Sequence, residues 1–454
     1  MNWLKEIGIS LMNTKLTLPA QSKMLLPNFI YGVATASFQI EGGKDSRLPC
    51  IWDTFCDTPD KVVDGSNGEI ACDHYNLWQD DIELIDSLGV DAYRLSISWP
   101  RVITESGELN PKGVTYYLNI LDALKAKNIK AFVTLYHWDL PQHLEDQGGW
   151  LSRATAYKFR DYVDLISKAF GNRVHAYATL NEPFCSAFLG YEIGIHAPGI
   201  VGKEFGKKAA HHLLLAHGLA MAVLVKNSPD TLNGIVLNFT PTYPESDSSE
   251  DIQAANFADD YFNQWYIKPL FDGEYPEILS LLPVENHPEI HEGDMQIISH
   301  PMDFLGVNFY TRAIYRADAE EYFLQVAPPE PRTDIGWEIY PKAFTNLLVS
   351  LNEKYTLPPI YITENGAAMA DTIIDNRVDD QDRINYYQEH LNAVNEAIEQ
   401  GVQVDGYFAW SLMDNFEWAE GYLKRFGIVY VDYDTQIRTV KASGLRYKAL
   451  ITNR

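Results

Sequence analysis

Apolar positions along the chain alternate between two textures. Short runs dense in β-branched and aromatic residues occupy 29–36, 92–97, 131–135, 176–180, 234–239, 304–309, 360–363 and 406–410, and their length and composition predict strands. Between them lie longer stretches in which apolar residues return every three or four positions, at 78–88, 117–127, 155–170, 209–225 and 382–400. That spacing predicts amphipathic helices. Strands alternating with helices imply a parallel sheet covered by helices. Eight strands closing into a ring predict an α/β fold, a single (β/α)8 TIM barrel over residues 28–454, with its active site where the strands end. A doubly wound open sheet is the competing architecture. It wants a glycine-rich phosphate-binding fingerprint after the first strand, and none is there.

No low-complexity linker or short repeat divides the chain, and the densest acidic patch, 245–251, reads as a loop. Residues 1–27 are expected to form a poorly ordered N-terminal extension ahead of the fold. Their apolar run, 7–12, is short and broken by Asn13, Thr14 and Lys15, which argues against a cleaved leader. No run of about 18 apolar residues suggests a spanning helix.

Composition narrows the partners. Hydrophobic residues make up 46% of the 454, enough for a large core and too many for disorder. The net charge of −26 repels phosphate backbones and anionic headgroups, so neither nucleic acid nor a membrane is an expected partner. Cys50, Cys56, Cys72 and Cys185 are too few for a disulfide framework and lack paired CxxC spacing, which suits a reducing, cytoplasmic setting. His211, His212 and His217 lie in an apolar helical stretch with no carboxylate close in sequence. They are read as packing residues, and no metal is expected.

Unusual polar residues cluster where the strand segments end: Gln39-Ile40-Glu41-Gly42, Arg94, His137-Trp138-Asp139, Asn181-Glu182-Pro183, Asn308-Phe309-Tyr310, Glu364-Asn365-Gly366 and Trp410-Ser411. Any one could be a helix cap or a satisfied loop residue; so many together point to function. Glu182 follows the fourth strand and Glu364 the seventh, nearly opposite each other across an eight-stranded ring. Two carboxylates flanking a bond are what glycoside hydrolysis requires, one to protonate the leaving oxygen and one to attack or to activate water. Asn181 is placed to reach a sugar 2-hydroxyl, and Arg94 and Tyr310 to keep Glu364 ionised and oriented.

These motifs resemble glycoside hydrolase family 1, the β-glucosidase family, over nearly the whole chain. The resemblance is carried by Gly32-Val33-Ala34-Thr35-Ala36-Ser37-Phe38-Gln39-Ile40-Glu41-Gly42, Leu180-Asn181-Glu182-Pro183, His196-Ala197-Pro198-Gly199, Ile362-Thr363-Glu364-Asn365-Gly366 and the stretch from Trp410 through Phe426. It implies a retaining β-glucosidase that needs no cofactor and acts on small β-glucosides or oligosaccharides. Glu364 would be the nucleophile and Glu182 the acid and later the base. Gln39, His137, Asn181, Glu417 and Trp418 would bind the glycone, Asn308 and Tyr310 would support the centre, Trp410 would be its stacking floor, and Trp337 would line the aglycone side.

The chain departs from the family pattern at Tyr31 and Phe184, where tryptophan is frequent, and at Val440, where proline is common. Phe184 is nearest the acid/base and bears on aglycone preference. Two rival readings remain. A 6-phospho-β-glycosidase would replace Glu417, which would repel a 6-phosphate, while Lys424-Arg425 decides nothing. A non-catalytic sugar-binding relative would lack one carboxylate of the pair. The balance of hydrolysis against transglycosylation, and side activity on galactosides or fucosides, stay open.

Overall fold

A computed structural model describes residues 15–454 of the chain. Eight strands form a closed, wholly parallel barrel: β1 (Ile30–Ala34), β2 (Ala92–Ser96), β3 (Lys130–Thr134), β4 (Ala176–Asn181), β5 (Leu232–Phe239), β6 (Phe304–Phe309), β7 (Ile360–Asn365) and β8 (Val404–Trp410). Each pairs with its sequence neighbours, and β1 closes the ring on β8 from Ile30 opposite Gly406 to Ala34 opposite Trp410. Sequence patterning placed all eight within about two residues. The exception in kind is β7, which runs on through Glu364 and Asn365, where Asn365 pairs with Ala409. Polar side chains continue a buried strand there because each finds a hydrogen-bond partner.

Helices His74–Ser87, Pro111–Ala126, Arg153–Phe170, Lys203–Asn227, Pro341–Lys354, Gln381–Glu399 and Ala442–Thr452 wrap the barrel. Pro341–Lys354 and Ala442–Thr452 were not singled out by periodicity. The connection after β5 is broken into Ser249–Asp259, Trp265–Phe271 and Asp294–Ile298. The acidic patch 245–251, expected to be a loop, is in part the start of the first of these. Ser248 caps it by accepting from the Asp251 amide, with Glu250 and Asp251 in the first turn, where acidic side chains favour the helix dipole. Lys203–Asn227 is long and apolar enough to cross a membrane by composition alone, yet 72% of its most apolar stretch is buried inside the protein. It packs along Arg153–Phe170 as a core helix.

The N-terminal half of the barrel is filled by rings. Phe132 lies 4.8 Å from Phe408 and 5.3 Å from Tyr361, which meets Phe304 at 5.6 Å. Gly32 and Gly406 make room for them: a Cβ at Gly32 would sit 2.3 Å from the Phe408 ring, and one at Gly406 2.7 Å from Tyr361. Of the expected extension 1–27, residues 1–14 lie outside the described residues. The rest is laid on the barrel, with Leu16 and Met24 buried and Thr17 exchanging two 2.8 Å hydrogen bonds with the Gln388 amide. At the other terminus Arg454 donates to Phe29 O and Asp91 Oδ1, just ahead of β1 and β2.

Candidate active site

The C-terminal mouth of the barrel gathers the polar strand ends. Glu182 is the first residue past β4, and Glu364 is the penultimate residue of β7. Both strand ends carry a register shift, between Ala178 and Asn181 against β5 and between Ile362 and Glu364 against β6. Such irregularities re-aim side chains. Glu182 also adopts a left-handed φ of +46°, a strained conformation for a non-glycine residue. Both carboxylates are buried.

One hydrogen-bond network joins them, and Arg94 fixes its direction because a guanidinium only donates. Arg94 Nη1 donates to Glu364 Oε1 at 2.5 Å, Nη2 to Asn181 Oδ1 at 2.7 Å and Nε to Thr134 Oγ1 at 3.2 Å. Asn181 Oδ1 is therefore the carbonyl oxygen. Asn308, which meets the same oxygen at 3.1 Å, must present its NH₂, and that NH₂ also donates to Glu182 Oε1 at 2.5 Å. Thr363 in turn donates to Asn308 Oδ1. The remaining side of Asn181 is its own NH₂, 3.1 Å from His137 Nε2. That ring nitrogen accepts, so a neutral His137 carries its hydrogen on Nδ1.

His137 is held neutral, because burial, then Arg94, push it well below the usual histidine range. Among the described residues its Nδ1 has no hydrogen-bond partner, and neither has Gln39 Oε1. A free donor and a free acceptor are thus left among the site residues. Gln39, in the turn Ser37–Ile40 after β1, is oriented by donating to Asn415 Oδ1 and Phe416 O at 2.9 Å and to Glu417 Oε2 at 3.4 Å. Trp410 at the end of β8 and Trp418 each stack on His137 at 5.9 Å, with interplanar angles of 16° and 17°. Trp337, half-buried in the β6–β7 connection, lies 5.3 Å from Tyr310. The arrangement offers hydroxyl partners beside aromatic faces, which suits a sugar ring.

The electrostatics separate the two central carboxylates. Burial raises Glu364, but Arg94 opposes this and Tyr310 adds a 2.5 Å hydrogen bond to Oε2. The Tyr310 phenol is pushed well above its ordinary range by burial and by Glu364, so it remains a donor. Glu182 is raised by burial and then by the Glu364 charge, and it meets no cation directly. Among the described residues its Oε2 accepts only from the Cys185 thiol, at 3.0 Å. Of the pair, Glu182 is the one that retains a proton. Glu417 is buried as well and is pushed up to about 8 by burial and by both other carboxylates.

The twelve residues given a catalytic, sugar-facing or supporting role lie at this mouth, whereas Glu41, quoted beside Gln39, pairs with Arg101 and Tyr117. Sequence reasoning gave no site role to Cys185, Thr363, Thr134 and Asn415, which orient the others. Each is an unremarkable residue type whose importance lies in what faces it across the barrel. Trp138, whose indole donates to Asn181 O at 2.9 Å, was visible only as part of its motif. The histidines lie elsewhere. His211 meets Tyr275 and, at 3.0 Å, Asp294, a carboxylate distant in sequence that is also paired with Arg153. His212 meets Trp150 O and His217 meets Thr179. Among the described residues no group of three or more His, Cys, Asp or Glu is arranged to hold a metal ion.

Comparison with known proteins agrees with this geometry. The sequence profile of glycosyl hydrolase family 1 matches residues 21–454. A β-glucosidase of an Agrobacterium species is 46% identical over 432 residues, spanning 93% of this chain and 94% of that protein. A 1,4-β-D-glucan glucohydrolase of Thermotoga neapolitana is 44% identical over 433 residues, 94% of this chain and 97% of its own. The solved family 1 β-glucosidase of Thermotoga maritima superposes with a TM-score of 0.92 at 44% identity, covering 96% of this chain and 99% of that one. A barrel of eight parallel strands, paired carboxylates at its mouth and near-full-length likeness in sequence and structure lead to one statement: this chain belongs to glycosyl hydrolase family 1.

Proposed function

We propose that the protein is a retaining β-glucosidase that releases terminal, non-reducing β-D-glucosyl residues from small β-glucosides, with residues 28–454 as its single catalytic unit and no cofactor. The observation that carries this reading is the unequal treatment of two buried carboxylates. Glu364 faces a guanidinium and a phenol, as a nucleophile should. Glu182 faces only an amide and a thiol, as a proton donor should.

In the first half-reaction Glu364 attacks the anomeric carbon while Glu182 protonates the glycosidic oxygen, and the aglycone leaves as an alcohol. In the second, Glu182 takes a proton from water, which attacks the same carbon and releases Glu364. Two inversions give net retention. Gln39, His137, Asn181, Glu417 and Trp418 hold the glucosyl ring over Trp410, and Trp337 and Phe184 border the leaving group. The names of the relatives support glucosides and β-1,4-glucans as the substrate class, and with it a role in cellulose degradation and carbohydrate metabolism. Four free cysteines favour a reducing, cytoplasmic setting.

The 6-phospho reading is disfavoured by a specific observation. Lys424 is taken up by Asp334, and Arg425 by Asp414 and Val431 O, while Arg94 is committed to Glu364 and Asn181. The test compares initial rates on nitrophenyl β-glucoside, its 6-phosphate and the β-galactoside, with the product anomer followed by NMR. Rapid release of β-glucose first is expected. Activity on the phosphate alone, or α-glucose as the first product, would overturn the proposal.

A further inference from the structure

The direction of the Arg94 network also identifies the atom of Glu182 that bears the proton. Both hydrogens of the Asn308 NH₂ are committed, one to Asn181 Oδ1 and one to the carboxylates, with Glu182 Oε1 at 2.5 Å. Asn308 Oδ1 is meanwhile occupied by the Thr363 hydroxyl at 2.7 Å. Oε1 therefore faces an N–H and can only accept, so a proton there would oppose that N–H at contact distance. The proton belongs on Oε2. Among the described residues the one group on Oε2 is the thiol of Cys185, at 3.0 Å, buried in the π-helical turn Cys185–Leu189 that follows Glu182.

We propose that Glu182 Oε2 is the atom that gives and takes the proton, and that Cys185 is a positioning residue whose S–H donates to Oε2 when the carboxylate is ionised. This rests on the reading of Glu182 as acid and base. The two half-reactions ask different things of that thiol. In the first, Oε2 is protonated and turned to the glycosidic oxygen, and as a neutral hydroxyl oxygen it is only a weak acceptor for the S–H. In the second, Oε2 is an ionised base, and an S–H on it stabilises that form and holds the lone pair towards water. Burial, then Glu182 itself, keep the thiol protonated well above its ordinary range, so it is a donor throughout. The charged and titratable groups facing this pair are Glu364, Glu417, Arg94, Tyr310 and Tyr266.

The experiment compares wild type with Cys185→Ala, Cys185→Ser and Glu182→Gln, using pH profiles of kcat/KM on an alkyl glucoside and both kcat and kcat/KM on dinitrophenyl glucoside. With that activated leaving group the first step needs no acid and the second limits turnover. Loss of one weak donor in Cys185→Ala should lower dinitrophenyl kcat about three- to tenfold, leave its kcat/KM within about twofold and move the alkaline limb up by about half a unit. Cys185→Ser, with a stronger donor, should move that limb the other way. Equal losses on both parameters with an unmoved limb would reduce Cys185 to packing and overturn the inference. An alkaline limb that persists in Glu182→Gln would instead overturn the acid/base reading beneath it.

Discussion

Phe132, Phe304, Tyr361 and Phe408 fill the N-terminal end of the barrel, while two to four residues further along the same strands the interior holds Thr134, Asn308, Glu364 and Trp410. Both ends are buried. At the ring-filled end, side chains are interchangeable to the extent that volume and shape are kept. At the mouth, Arg94 dictates which way Asn181, Asn308, Thr363 and His137 must point, so an isosteric swap that reverses one donor disturbs them all. The first end holds the barrel closed. The second holds three carboxylates against one guanidinium and so carries the electrostatic cost of function.

Changes at either end should separate activity from stability. The largest effect is expected from Glu364→Gln, which removes the nucleophile and should lower hydrolysis of nitrophenyl glucoside by about 10⁴-fold or more with little change in Tm; near-normal rates in a clean preparation would refute its role. Next, Phe132→Ala opens a cavity at the plugged end and should cost about 3–5 kcal/mol of stability, read by denaturant unfolding. The folded fraction, counted by active-site titration, should keep its kcat within about twofold; a large loss per folded molecule would mean that the two ends are not separable. Gln39→Ala removes a glycone contact at the mouth and should reduce kcat/KM about 10–100-fold, with a smaller effect on unfolding than Phe132→Ala.

The smallest effect tests the cost itself. Glu417 has a folded value raised to about 8 from a usual 4.5, so between those values the folded state holds more proton than the unfolded one. Its contribution therefore weakens stability as pH rises through that window and is without effect below about 4.5. Glu417→Gln cannot ionise. It should raise Tm relative to wild type by about 1–3 °C at pH 8 and by less at pH 5, while glucoside turnover falls. A Tm difference independent of pH would show that Glu417 does not contribute this penalty.

How much of this was legible in the chain follows the same division. The strands and five of the helices were written in apolar periodicity, which reports burial directly. Glu182, Glu364 and the sugar-facing residues stood out as polar types where a strand should end. Ser249–Asp259 was hidden because its acidic start resembled a loop until the Ser248 cap was seen. Cys185, Thr363 and Asn415 were not legible, since Thr363 looks like any strand threonine and Cys185 like any small apolar residue. Their roles depend on which atom faces them from a strand far away in sequence, and only the closed ring supplies that. The carboxylate paired with His211, Asp294, was missed for the same reason.

The anchoring of Arg454 beside Phe29 and Asp91 has a practical corollary. Arg454 is held at the plugged end, on the face opposite the mouth. A carrier domain or solid support joined through it would suspend the barrel with its opening towards the surrounding liquid. Immobilisation from that side should leave the diffusion path of incoming glucosides clear.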